Sequence, residues 1–132
     1  MPNTTPPTTD EAALDAKQDL VRRDAHCDVS LFVGGTEQNA GWIERLSGRS
    51  VGLKLYLNQT HGPLLLSDLS TVMTLMRRWP GVVAVHAEGW QLAAAIGIAR
   101  LYGRSLHCCH VSRGAAACRR ENFSGHRAGD DG

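Results

Sequence analysis

The chain has 132 residues, 42% of them hydrophobic and 20% charged, and a net charge of +1. This length supports one modest domain with a real core, and the composition excludes an intrinsically disordered chain. A charge so near zero gives no electrostatic basis for binding nucleic acid or an anionic membrane, and no apolar run reaches the length of a spanning helix.

Residues 1–9 read as a loop rich in proline and threonine, with no basic stretch leading into an apolar one, so a secretory signal is not expected. Thr8 and Glu11 make a capping box for a helix over residues 10–22, with Ala13, Leu14, Leu20 and Val21 available for burial. A strand follows over 25–33, closed by Gly34 and Gly35. Residues 36–46 read as helical, with Trp42, Ile43 and Leu46 on the apolar face. Next comes a short strand over 51–57, apolar except for Lys54, and a polar loop over 58–63. A continuous apolar run of this kind fits a parallel strand covered on both faces.

Ser67 or Asp68 can cap the next helix, in which Leu69, Val72, Met73 and Met76 form an amphipathic stripe. Trp79-Pro80-Gly81 ends it. A β-branched strand over 82–85 runs into His86-Ala87-Glu88, an alanine-rich helix spans 89–102 with Gly103 at its C-cap, and a last strand over 105–111 carries Cys108, Cys109 and His110. Residues 114–132 are Gly-rich, lack apolar periodicity and are expected to be a disordered tail. Cys27, Cys108, Cys109 and Cys118 contain no C-x-x-C pair, so reduced thiols in a cytoplasmic protein are expected. Strands alternating with helices of this length mean βαβ units, a parallel sheet and an α/β fold.

Three residues share one place in their units. Lys54 lies near the C-terminal end of its strand, and His86 and His110 close the two strands that follow. In an α/β barrel such ends meet at a common mouth, where active sites are built. A buried lysine is costly, because burial disfavours an ammonium. It either snorkels or pairs with a carboxylate, or its amine is used chemically. Each histidine is a structural, hydrogen-bonded residue or a metal ligand suited to zinc. Alternation sets His107 and Cys109 on one strand face and Cys108 and His110 on the other, which makes Cys109 a packing residue. Trp42, Trp79 and Trp90 are expected to cover helix–sheet contacts, and Glu88 is a candidate to orient His86. His26, at the outset of a strand, reads as structural, and Asp28 receives no role.

Met1-Pro2-Asn3-Thr4, Gly52-Leu53-Lys54-Leu55-Tyr56-Leu57-Asn58, His86-Ala87-Glu88 and Cys109-His110-Val111-Ser112 together resemble the dihydroorotases of the amidohydrolase superfamily, in the form fused into multifunctional pyrimidine-synthesis proteins. The resemblance spans residues 1–113 and implies the central part, about four strand–helix units, of a (β/α)8 TIM-type barrel. It implies that Lys54 is carboxylated on its amine and bridges two zinc ions, with His86 and His110 as zinc ligands. It also implies that Asn3 holds the substrate carboxylate, and that residues 58–61 form a mobile loop in which Thr60 touches substrate, although the family usually differs at His61. The implied reaction interconverts carbamoyl aspartate and dihydroorotate, in the company of other pyrimidine-synthesis domains or a second copy of the chain. The family's His-x-His strand and its proton-transferring aspartate are absent from these 132 residues, so no catalytic acid or base is assigned, and the chain reads as the middle of a barrel. Two other readings stay open: a hydantoinase or allantoinase, and a non-catalytic barrel remnant that serves as a scaffold.

Overall fold

The computed structural model describes residues 1–60 and 62–111. His61 and the tail expected over 114–132 lie outside the described residues. The chain runs as helix α1 (Glu11–Asp24), strand β1 (Phe32–Gly34), a 3₁₀ helix (Ile43–Arg49), β2 (Gly52–Tyr56), α2 (Leu69–Arg78), β3 (Val82–His86), α3 (Gly89–Leu101) and β4 (Leu106–Cys109). The four strands form one sheet in the order β1-β2-β3-β4, parallel throughout. This is the expected α/β architecture, a segment of a TIM-type barrel. No described helix is long and apolar enough to cross a membrane.

Alternation along the strands sorts their side chains into two layers. Leu53, Leu55, Val83 and Val85 point toward the helices and join Leu14, Ile43, Leu46, Val72, Leu75, Met76 and Trp79 in the apolar core. On the other face stand Lys54 and Tyr56 of β2, Ala84 and His86 of β3, and His107 and Cys109 of β4, aligned by the registers Lys54↔Ala84↔His107 and Tyr56↔His86↔Cys109. Side chains against the helices are therefore aliphatic, and those on the concave face carry the chemistry. Gly35 must remain small where loop and sheet meet: a Cβ there would lie 2.5 Å from a Leu55 methyl and 2.9 Å from one of Leu75.

Several elements differ from the sequence reading. Asp10, and not Thr8, caps α1 by accepting from the Ala13 N–H; the Thr8 side chain is buried instead. In α1 Leu14 is buried but Leu20 is 49% exposed. The strand expected over 25–33 shrinks to Phe32–Gly34, because its first half finds no neighbour to pair with. His26 and Asp28 are exposed in the loop that remains. The helix expected over 36–46 becomes turns followed by the 3₁₀ helix. Asn39 governs this segment, since its buried amide donates to the carbonyls of Thr9 and Gly34 and its Oδ1 accepts from the Thr36 N–H. Trp79 covers the sheet as expected, but Trp90 is 63% exposed.

Asp68 caps α2, accepting from the N–H groups of Ser70 and Thr71 and from both hydroxyls. These bonds, the Ser70 hydroxyl's first, lower its pKa from 3.8 to about 2. A carboxylate depressed on folding contributes stability that is fully present above pH 3.8 and lost as the pH falls through about 2. We expect Asp68→Ala to lower the melting temperature at pH 7 by roughly 4–8 °C, the scale of a lost N-cap in a small domain. Acid titration followed by circular dichroism should show that this difference vanishes at the low end of that pH window.

Candidate metal centre at the strand ends

Parallel pairing brings the C-terminal ends of all four strands to one side. Lys54 sits in the middle of β2 and is 1% exposed. Its side chain runs toward the strand ends, over the Tyr56 ring, with Nζ 5.2 Å from the ring centroid. Nζ ends 2.8 Å from the Sγ of Cys109 on β4. Beyond it, His86 closes β3, its ring centroid 6.3 Å from that of Tyr56 and 5.8 Å from that of His110, edge to face with the latter. Lys54, His86 and His110, singled out from three separate strands, are thus brought together.

Cys109 corrects the sequence reading. Its register with His86 sets it on the concave face, beside Lys54, and not in the packing layer. His110 does not follow strand alternation, because β4 ends at Cys109 and His110 has φ 54°. A left-handed residue at the strand end turns the imidazole back toward His86. Aligning β3 and β4 on their histidines would have left Cys109 on the opposite face; only the observed register, His86 with Cys109, reveals it.

Burial is the main cause that pushes the His86 pKa below its ordinary 6.5; the charges of Lys54 and His110 push the same way and Glu88 opposes them. At neutral pH the imidazole is therefore held neutral, the form that binds metals. Glu88 acts on His86 through its charge, while its backbone N–H donates a 2.7 Å bond to the Asn58 side-chain oxygen. That bond ties the loop after β2 to the loop after β3. The Tyr56 hydroxyl is buried without a partner, and burial, then the charge of Cys109, push its pKa up.

The two substrate-binding candidates lie at the same end but outside this cluster. Pro2 packs near Gly34, and the chain is pinned there by the Gly34 N–H to Thr8 carbonyl bond, which leaves the neighbouring Asn3 exposed above β1. Thr60 lies in the loop beyond β2, half-buried, with its carbonyl accepting from Gln59.

As a zinc site the donor chemistry fits in part. Two neutral-capable imidazoles converge, but an unmodified lysine is no zinc ligand, and among the described residues no three His, Cys, Asp or Glu side chains close a metal site. Lys54 contributes only if its amine is converted into a carboxylate. His86, His110 and a carboxylated Lys54 would then be one side of a centre whose other donors come from outside this segment.

No family model matches the chain. It is 39% identical over 115 residues, 86% of its length, to the multifunctional protein CAD of Squalus acanthias, and 35% identical over 115 residues, 85% of its length, to the multifunctional protein pyr1-3 of Dictyostelium discoideum. Among solved structures, the inactive dihydroorotase-like domain of the Chaetomium thermophilum CAD-like multifunctional protein superposes with a TM-score of 0.67 and 25% identity, over 77% of this chain and 30% of that one. The chain is homologous to the dihydroorotase region of CAD. It spans about 5% of the length of the curated relatives it matches. The L-hydantoinase (dihydropyrimidinase) of Arthrobacter aurescens shares the fold, with a TM-score of 0.79 at 19% identity over 88% of this chain and 34% of that one. The four-stranded sheet is accordingly a dihydroorotase-like barrel segment, and its concave cluster stands at the end where such barrels carry their sites.

Proposed function

We propose that this segment supplies the central strands of a zinc-dependent dihydroorotase, which opens dihydroorotate to carbamoyl aspartate or closes it. The observation that carries the reading is the convergence of Lys54, His86 and His110 at one end of a parallel sheet homologous to the dihydroorotase region of CAD. Carboxylated Lys54 would help hold two zinc ions, together with His86 and His110 as neutral imidazoles. Bound zinc supplies Lewis acidity toward the amide carbonyl and a more acidic water.

The chain's own residues do the rest. The short Ala84 leaves room on the concave face for Lys54 to reach the strand ends. Asn58 holds the His86 strand end in place through Glu88. Asn3, from the N-terminal loop, and Thr60, from the loop after β2, would meet the substrate. In a cyclic amide the ring fixes the scissile bond, so such contacts serve mainly to orient it.

A second reading, a non-catalytic dihydroorotase-like unit, is favoured by one observation: the Lys54 amine is already engaged by Cys109. The related domain of C. thermophilum is itself inactive.

A chimera separates the two. The matching stretch of the S. acanthias protein would be replaced by residues 1–111, and dihydroorotase turnover measured in both directions. Turnover within about tenfold of the parent, with two zinc ions per barrel, is expected. A folded chimera with neither turnover nor bound zinc would overturn the catalytic reading in favour of the second. The 132-residue polypeptide alone should show no turnover, because its described residues offer no complete donor set.

A further inference from the structure

The loop after β2 and the first turn of α3 leave an apolar groove of about 280 Å³ in the helical layer. At its base lie Leu57 and Leu66, which belong to the core. Around it stand Leu65, Leu69 and Trp90, all three exposed. Large apolar side chains gathered around a concave floor mark an interaction site. None of the residues that line the groove is basic. Two exposed carboxylates flank it in sequence, Asp68 before Leu69 and Glu88 two residues before Trp90. Glu88 makes no ion pair among the described residues.

We propose that this groove is the docking site for a segment of the chain itself, Arg119-Arg120-Glu121-Asn122-Phe123, with Phe123 seated among Leu65, Leu69 and Trp90. The chain leaves β4 at the end of the parallel sheet where the groove lies, since the groove is built at the ends of β2 and β3. Residues 112–123 span at most roughly 40 Å when extended, and β4 lies two strand spacings, roughly 10 Å, from β2. Reach is therefore ample. Beyond Val111 the sequence holds a single Phe, Tyr or Trp, and it is Phe123, preceded at three and four residues by Arg120 and Arg119. The phenyl ring needs apolar cover, which the leucines and the indole supply. A guanidinium stacks on an exposed indole and pairs with a carboxylate, so the arginines match Trp90, Glu88 and Asp68. Size excludes a second folded copy as the occupant. Nine residues line the groove, against roughly 20–30 on each side of a stable interface between folded chains. Attachment to the same chain supplies an effective concentration on the order of millimolar, so a contact too weak to hold a free peptide is populated. Asn58 and Gln59 line the groove too, so the docked segment rests against the loop after β2 from its helix side and leaves the concave face clear.

The inference is independent of the metal reading, and its test reads cross-links and tryptophan exposure, not turnover. The full-length chain would be made with benzoylphenylalanine in place of Phe123, irradiated, digested and mapped by mass spectrometry. The expected product is an intramolecular cross-link from position 123 to the peptides that carry Leu65, Leu69 or Trp90. Its yield should fall by about threefold or more in about 1 M salt, and likewise when Arg119→Glu and Arg120→Glu are combined. In the unmutated chain labelled with fluorotryptophan, the Trp90 fluorine signal, assigned by its loss in Trp90→Phe, should be shielded from a soluble paramagnetic probe. Phe123→Ala should open it to the probe. Cross-links that join two chains, or that miss all three groove residues, overturn the proposal. So does a Trp90 signal that is as accessible in the unmutated chain as free fluorotryptophan. That last reading needs no change at position 123, so it stands even if the cross-linking variant fails to fold.

Discussion

Replacing Lys54 by alanine in the chimeric barrel is expected to remove two-zinc binding and to cut dihydroorotase turnover by about 10³-fold or more, the scale on which loss of electrostatic stabilisation acts. The proposed function gives this residue a single task, to help hold the metals through its carboxylated amine, and alanine offers no such ligand. On that reading carboxylation and metal binding would be coupled, because bound metal would stabilise the anionic carbamate and the carbamate would help hold the metal. Bicarbonate should therefore raise the zinc content of the parent and leave that of Lys54→Ala unchanged. Formate or acetate should partly restore both readouts by filling the vacated space beside Ala84. Metal analysis and turnover, with and without bicarbonate, measure this directly. A variant that kept two zinc ions and near-parental turnover would reduce Lys54 to a structural strand residue.

Trp79→Ala should leave this segment unfolded or nearly so. Trp79 is 1% exposed and the largest fully buried side chain, and its indole N–H donates to the Val82 carbonyl at 3.1 Å. It is the C-cap of α2 and bonds the first residue of β3, so its loss affects a helix end, a strand end and the core together. Truncating a buried tryptophan costs about 3–5 kcal/mol. Domains of this size are stable by about 5–15 kcal/mol in favourable cases, and an open sheet with two edges is at the lower end. Denaturant melts followed by tryptophan-independent circular dichroism should show a large drop in midpoint. Trp79→Phe, which keeps most of the apolar volume and loses the N–H, should lie between. An unfolding free energy for the alanine variant within about 1 kcal/mol of the parent, at an unchanged slope, would contradict the central place given to this side chain.

Much of the fold was legible in the residues themselves. The β2 run with its single lysine, the stripe of α2 and the β-branched β3 each follow from short-range preference and periodicity, and the βαβ alternation leads to a parallel sheet. Val72 and Met76 of the α2 stripe are buried as the period requires. Periodicity does not say how much of an amphipathic face the rest of the molecule covers: Leu69 of the same stripe is 38% exposed and Trp90 stands out at 63%. The resemblance to dihydroorotases was likewise carried by short motifs, and it is upheld at the level of homology with the dihydroorotase region of CAD.

What the sequence by itself determined about this protein is its class, its order of elements and the strand ends at which its reactive residues stand. Tertiary structure alone decided which of those residues meet. Asn39 is an ordinary polar residue until two carbonyls close around its amide. Cys109 looks like packing until the β3–β4 register sets it level with His86, and with that register only a left-handed turn brings His110 back toward His86. The Lys54–Cys109 contact depends on three strands at once, with the small Ala84 between them. The physical reason is one of range. Side-chain preference and alternation act over a few residues along the chain, whereas inter-strand register is set by hydrogen bonds and packing between segments far apart in sequence, and a shift of one residue reverses every side chain's face.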